Sequence, residues 1–522
     1  MSQQLQRSLQ LLTRNGQASL LTQIQHGVEK EGLRVDGQGR IAATPHPRAL
    51  GSALTHPRIT TDYSEALLEF ITPVYSDIEA MLGYLGDLHR YTYQQLGDER
   101  IWNASMPCRI DSPAEVAIAE YGSSYIGRLK HVYRIGLEHR YGRVMQSIAG
   151  IHYNFSLPTE LWAVLHRDSA SAMSLQGFQS ARYFGLIRNF RRHSWLMIYL
   201  FGASPALSRS FVGDSAHGLE SWDDDTLYGP YATSLRMSDL GYSNRAQSTL
   251  NVCYNTLDNY VNTLSDAIAR PYAAYEQIGV KVAGEYRQLN TNLLQIENEY
   301  YSDIRPKRVA ASGERPLQAI RARGVEYVEV RNVDINPFLP TGIDADQARF
   351  IDCFLLHCLL TEAPFIEGAE CEQVKANQQL VVRRGREPGL TLVRNEQSVL
   401  MQTWACELLD QLEPLAVALD SVHGGDAYQR SLLLQRAKVE DPSQTPSAQL
   451  LARLQATGQS YDQLMLTLAQ QHRDTLLAQP LCPQVEQELA QLRETSLQEQ
   501  AALEQQSQDL DFDQFVQEYC RY

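Results

Sequence analysis

The chain has 522 residues, 43% of them hydrophobic and 20% charged, with a formal net charge of -15 at pH 7. That length allows a large core and more than one domain, and the acidic balance argues against a general binder of nucleic acid or anionic membrane, which needs clustered Lys and Arg. The eight cysteines form no CxxC pair, so neither a disulfide framework nor a structural zinc site is expected.

The first residues, "MSQQLQRSLQLLTRNG", lack the apolar stretch of a signal peptide. The most apolar runs, "WLMIYLFGASPAL" and "FIDCFLLHCLL", are too short to span a bilayer. A reduced, cytoplasmic protein is the expectation. The segment 26–35, "HGVEKEGLRV", reads as a strand with Glu29 and Glu31 on one face. Taken alone, that pair also fits a solvent-facing edge. In "ITTDYSEALLEFITP", residues 59–73, Asp62, Glu65 and Glu69 enter a segment that otherwise reads as buried, and Glu69 lies between Leu67, Leu68, Phe70 and Ile71. A carboxylate leaving water is costly unless something compensates it. A bound cation is the compensation inferred.

Residues 77–97 carry apolar side chains at helical spacing, and 179–200 and 251–275 read as mainly helical. In "GIHYNFSLP", from 150, Ile151, Tyr153 and Phe155 share one face and His152, Asn154 and Ser156 the other. Segment 290–308, "NTNLLQIENEYYSDIRPKR", predicts a polar strand with Gln295, Glu297 and Glu299 on one face. It runs into a stiff basic turn of Arg305, Lys307 and Arg308 around Pro306. Such a turn suits a polyphosphate, although an exposed basic loop reads the same way. In "VEYVEVRNVDINP", from 325, Tyr327, Glu329 and Arg331 form one strand face, opposite Glu326, Val328 and Val330. After about residue 390 the text turns rich in Leu, Gln, Ala and Glu at helical period, predicting a helical layer; heptads are too short-lived for a coiled coil.

Short strands between helices without strict alternation predict an α+β fold. Gathered in one sheet, the polar faces would make a carboxylate-lined floor, whose mutual repulsion divalent cations such as Mg²⁺ or Mn²⁺ relieve. No GxxxxGK[ST] loop, no GxGxxG after a strand and no HExxH occurs, so a nucleotide would be held by sheet and metals.

The stretches "EKEGLRV", "GSALTHPRITTDYSEALLEFITP", "HRYTYQQLGDERIW", "GIHYNFSLP", "LFGASPA", "YATSLRMSDLGY", "LQIENEYYSDIRPKR" and "GVEYVEVRNVDINPF", in this order, resemble bacterial glutamate–cysteine ligase of the proteobacterial type. The resemblance covers residues 20 to about 390 and implies a glutamine-synthetase-like curved antiparallel sheet, surrounded by helices, as the active-site floor. It divides the chain into a catalytic part, 1–390, and a helical C-terminal part, 391–522, in a monomer. It implies ATP-dependent joining of the L-glutamate γ-carboxylate to the L-cysteine amine through γ-glutamyl phosphate, the first step of glutathione biosynthesis. A related ligase with another acceptor amine is the alternative.

Carried over residue by residue, the resemblance makes Glu29, Glu31, Asp62, Glu69, His152 and Glu329 magnesium ligands, with manganese as the other candidate ion. Arg134 and Arg331 would contact the transferring phosphate, and Arg305, Lys307 and Tyr327 the nucleotide. Arg236, Gln146 and Asn154 would hold glutamate; Tyr63, Tyr133, Leu137 and Tyr242 would form the cysteine pocket. One departure stands out: the family's usual "ERET" is "EKEG" here. Lys30 and Gly32 are expected to point away from the paired glutamates.

Overall fold

Eleven residues, Gln25–Val35, form strand β1, around which the main sheet is built. The computed structural model describes residues 3–13, 17–213, 215–241, 250–311, 314–507 and 511–521. The other strands of this sheet are β2 (Ile59–Thr61), β3 (Leu67–Ile71), β4 (Arg100–Trp102), β5 (Ile151–Ser156), β6 (Ile304–Lys307) and β7 (Tyr327–Val333). Their order is β6-β7-β5-β1-β3-β2, with β4 also paired to β1, and every pairing is antiparallel.

Alternation along these strands produces one apolar and one polar face. Val28, Leu68, Phe70, Ile151, Tyr153, Phe155, Val328 and Val330 share the apolar face and are each at most 1% exposed. Burying a side chain of this size contributes about 1.5–3 kcal/mol. Helices α1 (Ile78–Tyr93), α3 (Leu175–Phe201) and α4 (Ala345–Leu360) cover that face, while α2 (Tyr125–Tyr141) lies over the polar one. Helix α1 starts where the Asp77 carboxylate accepts from the Ala80 amide, 2.9 Å away, supplying the cap that an orphan N–H needs.

Lys30 does point away from the glutamates. Its Nζ lies 2.9 Å from His89 Nε2 in the core, and burial lowers its pKa to about 7. Gly32 serves a close approach: a Cβ there would stand 2.7 Å from Ile101 Cγ2 of β4.

Two local expectations change. Residues 295–299 are not a strand; Glu297–Glu299 is a single 3₁₀ turn. The Asn290 side chain donates to the Gln295 carbonyl and accepts from the Asn292 amide, and these local bonds displace a ladder. Arg305-Pro306-Lys307 is not a turn but edge strand β6, paired to β7 with Pro306 opposite Val328. An edge tolerates a residue without an N–H. The 251–275 region divides into helices Leu257–Ala269 and Ala273–Ile278.

Beyond residue 390 come a hairpin, Thr391–Arg394 with Gln397–Leu400, then α5 (Met401–His423), α6 (Tyr461–Leu477), α7 (Pro483–Gln506) and α8 (Phe512–Cys520). One buried apolar cluster runs from Leu5 to Leu489. Among the described residues no helix is long and apolar enough to cross a membrane, and all eight cysteines are free.

Replacing Gly32 by Ala forces β4 away from β1, an overpacking cost of about 1–3 kcal/mol. Urea unfolding is expected to show a lower midpoint for Gly32→Ala, whereas Gly83→Ala in α1, where a Cβ meets nothing within 4 Å, should leave it unchanged or raised.

Candidate active-site cleft

The polar face of the sheet is the floor of a cavity of about 420 Å³, with α2 as one wall. Register decides which side chains meet. Glu29 of β1 is opposite His152 of β5, Glu31 opposite Glu69 of β3, and Glu329 of β7 opposite both Asn154 of β5 and Arg305 of β6. Four carboxylates and an imidazole from four strands are thereby cross-strand neighbours.

His152 is the centre of this set. Its Nδ1 is 3.2 Å from Glu29 Oε2 and 4.0 Å from Glu329 Oε1, and its Nε2 is 4.0 Å from Glu31 Oε1. One ligand atom each from Glu29, His152 and Glu329 lies within 4.8 Å of the other two. Oxygen-rich donors with one imidazole suit a hard divalent cation. Asp62, just beyond β2, completes the acid side of the cleft.

The carboxylates fall into two electrostatic classes. Burial opposes ionisation of Glu329, but Lys307 Nζ at 3.1 Å and Arg331 Nη1 at 3.2 Å outweigh it and hold the group well below the usual range. For Glu29, burial and the nearby Glu329 raise the pKa, and the His152 contact with Lys307 more than reverses them. For Glu31 and Glu69 the balance goes the other way. Burial and then Asp62 push Glu31 up to about 8, although Arg236, Arg331 and the Gly150 amide, 2.6 Å away, pull the other way. Burial and the carboxylates of Glu29, Asp62 and Glu31 push Glu69 well above its ordinary value. At this end burial and the neighbouring acids outweigh the guanidinium groups. Burial also keeps His152 below its ordinary pKa, as a neutral imidazole able to ligate.

Helix α2 presents Leu129, Lys130, Tyr133, Arg134 and Leu137 to the cleft at helical spacing. Arg134 Nε donates to the Asp62 carbonyl at 2.5 Å and its guanidinium lies 4.6 Å over the Tyr121 ring. Burial lowers Lys130 to about 8, with Arg134 acting in the same direction and Glu69 against it. Arg305, Lys307 and Arg331 face these groups from β6 and β7.

Of the residues singled out from sequence, Glu29, Glu31, Asp62, Tyr63, Glu69, Tyr133, Arg134, Leu137, Gln146, His152, Arg305, Lys307, Glu329 and Arg331 line this one cavity. Asn154 stands behind it, donating to Glu29 Oε1 at 2.8 Å. Arg236 is fully buried, with Nη2 donating to the Arg331 carbonyl at 2.8 Å and Nη1 3.7 Å from Asp334. It reaches that position over Gly150, where a Cβ would sit 2.0 Å from Nη2. Tyr327 is half-buried, opposite Lys307, and does not line the cavity. Tyr242 lies outside the described residues. Glu65 turns elsewhere, accepting from the His46 and Glu120 amides at 2.5 Å each.

Sequence reasoning missed Lys130, Asn298, Tyr301 and Tyr519 of the cavity wall. Lys130 was findable, because it lies three and four positions before Tyr133 and Arg134 on one helix face. Tyr519 was not. It arrives on α8, which packs on α2 through Phe512 and Phe515 against Tyr125, ring centroids 5.9 and 5.5 Å apart, and Arg128 over Phe512 at 3.8 Å.

The sequence model of the family described as glutamate-cysteine ligase matches residues 9–381. A glutamate–cysteine ligase of Pseudomonas paraeruginosa is 54% identical over 519 residues, covering 99% of this chain and 98% of that one. One of Azotobacter vinelandii is 54% identical over 522 residues, covering 99% and 98%. The crystal structure of glutamate–cysteine ligase from Francisella tularensis in complex with AMP superposes with a TM-score of 0.89 at 37% identity, over 95% of this chain and 97% of that one. A bifunctional glutathione synthetase from Pasteurella multocida superposes with a TM-score of 0.71 at 26% identity, over 91% of this chain and 55% of that one.

A carboxyl whose folded pKa is raised binds more protons folded than unfolded, so its ionisation erodes stability as pH rises. For Glu31 the window runs from its ordinary 4.5 to about 8, with a slope of about 1.4 kcal/mol per pH unit while that group titrates. Chemical denaturation in chelator-treated buffer should show stability falling across this window, and Glu31→Gln should flatten the fall.

Proposed function

The chain belongs to the glutamate–cysteine ligase family, and from that membership we propose that this ligase joins the γ-carboxylate of L-glutamate to the amine of L-cysteine at the expense of ATP. The observation that carries the reading is the convergence of Glu29, Glu31, Glu69, Glu329 and His152 on one sheet face, opposite Arg134, Arg305, Lys307 and Arg331. An acidic floor beneath guanidinium and ammonium groups fits a metal-bound polyphosphate. The AMP in the Francisella relative supports a nucleotide in this cleft.

Asp62, Glu31 and Glu69 would hold magnesium at one end of the floor, and Glu29, His152 and Glu329 at the other. The donor chemistry fits, since burial and neighbouring acids raise Glu31 and Glu69, and a bound cation would favour their ionised, ligating form. Bound Mg²⁺ supplies charge neutralisation between the carboxylates and the phosphate oxygens. The chain's own residues do the rest. Arg331, fixed by Glu329 at 3.2 Å and by the buried Arg236 beneath its carbonyl, offers N–H donors toward a moving phosphoryl group. Arg134 does the same from the opposite wall, held by the Asp62 carbonyl. Lys307 and Arg305, on a proline-stiffened edge strand, orient the remaining phosphates.

In the reaction so assigned, the glutamate γ-carboxylate oxygen attacks the γ-phosphorus of ATP, and the bond to ADP breaks. The resulting γ-glutamyl phosphate is a mixed anhydride whose carbonyl the cysteine amine attacks. The amine proton is lost, phosphate departs, and the amide remains. No covalent enzyme nucleophile is required. Gln146, Arg236 and Asn154 are the residues assigned to glutamate, and Tyr63, Tyr133, Leu137 and Tyr242 to cysteine.

Phosphate release measured with ATP, Mg²⁺ and L-glutamate, varying only the acceptor, is expected to be fastest with L-cysteine; a faster rate with ammonia or another amine would replace the assignment. Arg331→Ala should lower kcat by about 10²–10³-fold, the scale of losing one preorganised donor, with a smaller change in the KM for glutamate. A rise in that KM alone would make Arg331 a ground-state contact. Glu69→Gln is expected to fold, as its burial disfavours charge, and to lose Mg²⁺-dependent turnover; unchanged kinetics would remove it from the metal site.

A further inference from the structure

A second group of metal-type donors lies away from the cleft, where α3 faces α4. His193 of α3 and the adjacent His357 and Cys358 of α4 each place one ligand atom within 4.8 Å of the other two. Cys358 is fully buried, His357 is 2% exposed and His193 is half-buried. None of them lines the active-site cavity.

The polar atoms around this cluster are left in an unusual condition. His357 Nε2 lies 3.1 Å from Gln411 Oε1 of α5. An amide oxygen only accepts, so Nε2 carries the hydrogen and Nδ1 the bare lone pair. That Nδ1 is buried with no hydrogen-bond partner, and so is Nδ1 of His193. A buried unpaired polar atom costs about 1–3 kcal/mol, and two of them lie on facing helices beside a thiol. An outer hydrogen bond that fixes the tautomer and leaves the inner nitrogen free is the arrangement of a ligating histidine. Burial keeps both imidazoles below their ordinary pKa, His193 at about 3, so they are neutral.

We propose that His193, His357 and Cys358 form a binding site for a soft monovalent d¹⁰ cation, Cu(I), held by two imidazole nitrogens and one thiolate sulfur. Thiolate and imidazole ligands select soft ions over the hard cations of the cleft. Charge selects the oxidation state. Arg192 and Arg394 flank His193, each already paired to a carboxylate at 2.5 Å, Glu370 and Glu407. On binding, the Cys358 S–H loses its proton to solvent and the S–Cu bond forms, so the complex with Cu(I) is neutral. A divalent ion would leave a net positive charge in a buried site with no carboxylate among its ligands. Bound there, the ion ties α3 to α4, which cover the sheet face opposite the catalytic floor.

The test uses the full chain, reduced and anaerobic, titrated with Cu(I) against a chromogenic Cu(I) chelator, with X-ray absorption on the loaded protein. Wild type should hold one tight equivalent with two nitrogen scatterers and one sulfur. His193→Gln and Cys358→Ser should each weaken that equivalent by at least ~100-fold, the upper scale for disturbing even a metal's outer partners. Should Cys358→Ser fail to fold, His193→Gln, at a half-buried position, carries the comparison, and its copper-free ligase activity with Mg²⁺ should match wild type. A sulfur-only shell, the same uptake in His193→Gln, or Zn²⁺ held more tightly than Cu(I) would each overturn the proposal. A wild-type chain that takes up no Cu(I) equivalent yet keeps full ligase activity would overturn this site and leave the catalytic reading intact.

Discussion

Carboxylates gathered on adjacent strands of one sheet repel each other, and much of the structure answers that repulsion. Glu29 and Glu329 are answered from within, by His152, Lys307 and Arg331. For Glu31 and Glu69, burial beside other acids prevails, raising Glu31 to about 8 and Glu69 well above its ordinary value. A floor so divided is half-satisfied.

The opposite face supplies the rigidity this arrangement needs. Tyr153, whose neighbours on β5 are His152 and Asn154, anchors its hydroxyl on Asp352 of α4 at 2.9 Å, and His26 of β1 meets the same carboxylate at 2.9 Å. Polar groups on the floor are therefore held by polar anchors beneath it as well as by aliphatic packing. The Arg236 guanidinium and the Glu31 carboxylate both converge on Gly150, one through space that a side chain would fill, the other through the amide. A single residue type at one position thus brings a buried cation close to a buried acid.

The walls have a different origin from the floor. Helix α2 bridges the cleft with residues at helical spacing, and α8, more than 370 residues later in the chain, stacks aromatic rings on its first turn and delivers Tyr519 to the rim. The Gln-rich tail is joined to the site in this way. Its helices α6 and α7 also pack on α1 and β4, with Ser52 and Thr55 bonded to residues of α7.

Period-two alternation made the floor legible in the sequence: Glu29 and Glu31, His152 and Asn154, and Tyr327, Glu329 and Arg331 had to share faces whatever their neighbours were. Glu69 could be singled out because a carboxylate among Leu67, Leu68, Phe70 and Ile71 requires a partner. Family resemblance then named the walls residue by residue. What the linear text misjudged were segments decided by local side-chain bonds or by sheet position: 295–299, folded back by Asn290, and Arg305-Pro306-Lys307, straightened by pairing at an edge. Strand order, the opposition of Glu31 to Glu69, the closeness of His193 to Cys358 and the arrival of Tyr519 belong to tertiary structure alone. Alternation is a property of neighbouring residues and survives in the sequence; contact between distant segments depends on how apolar faces pack, and no local pattern records it.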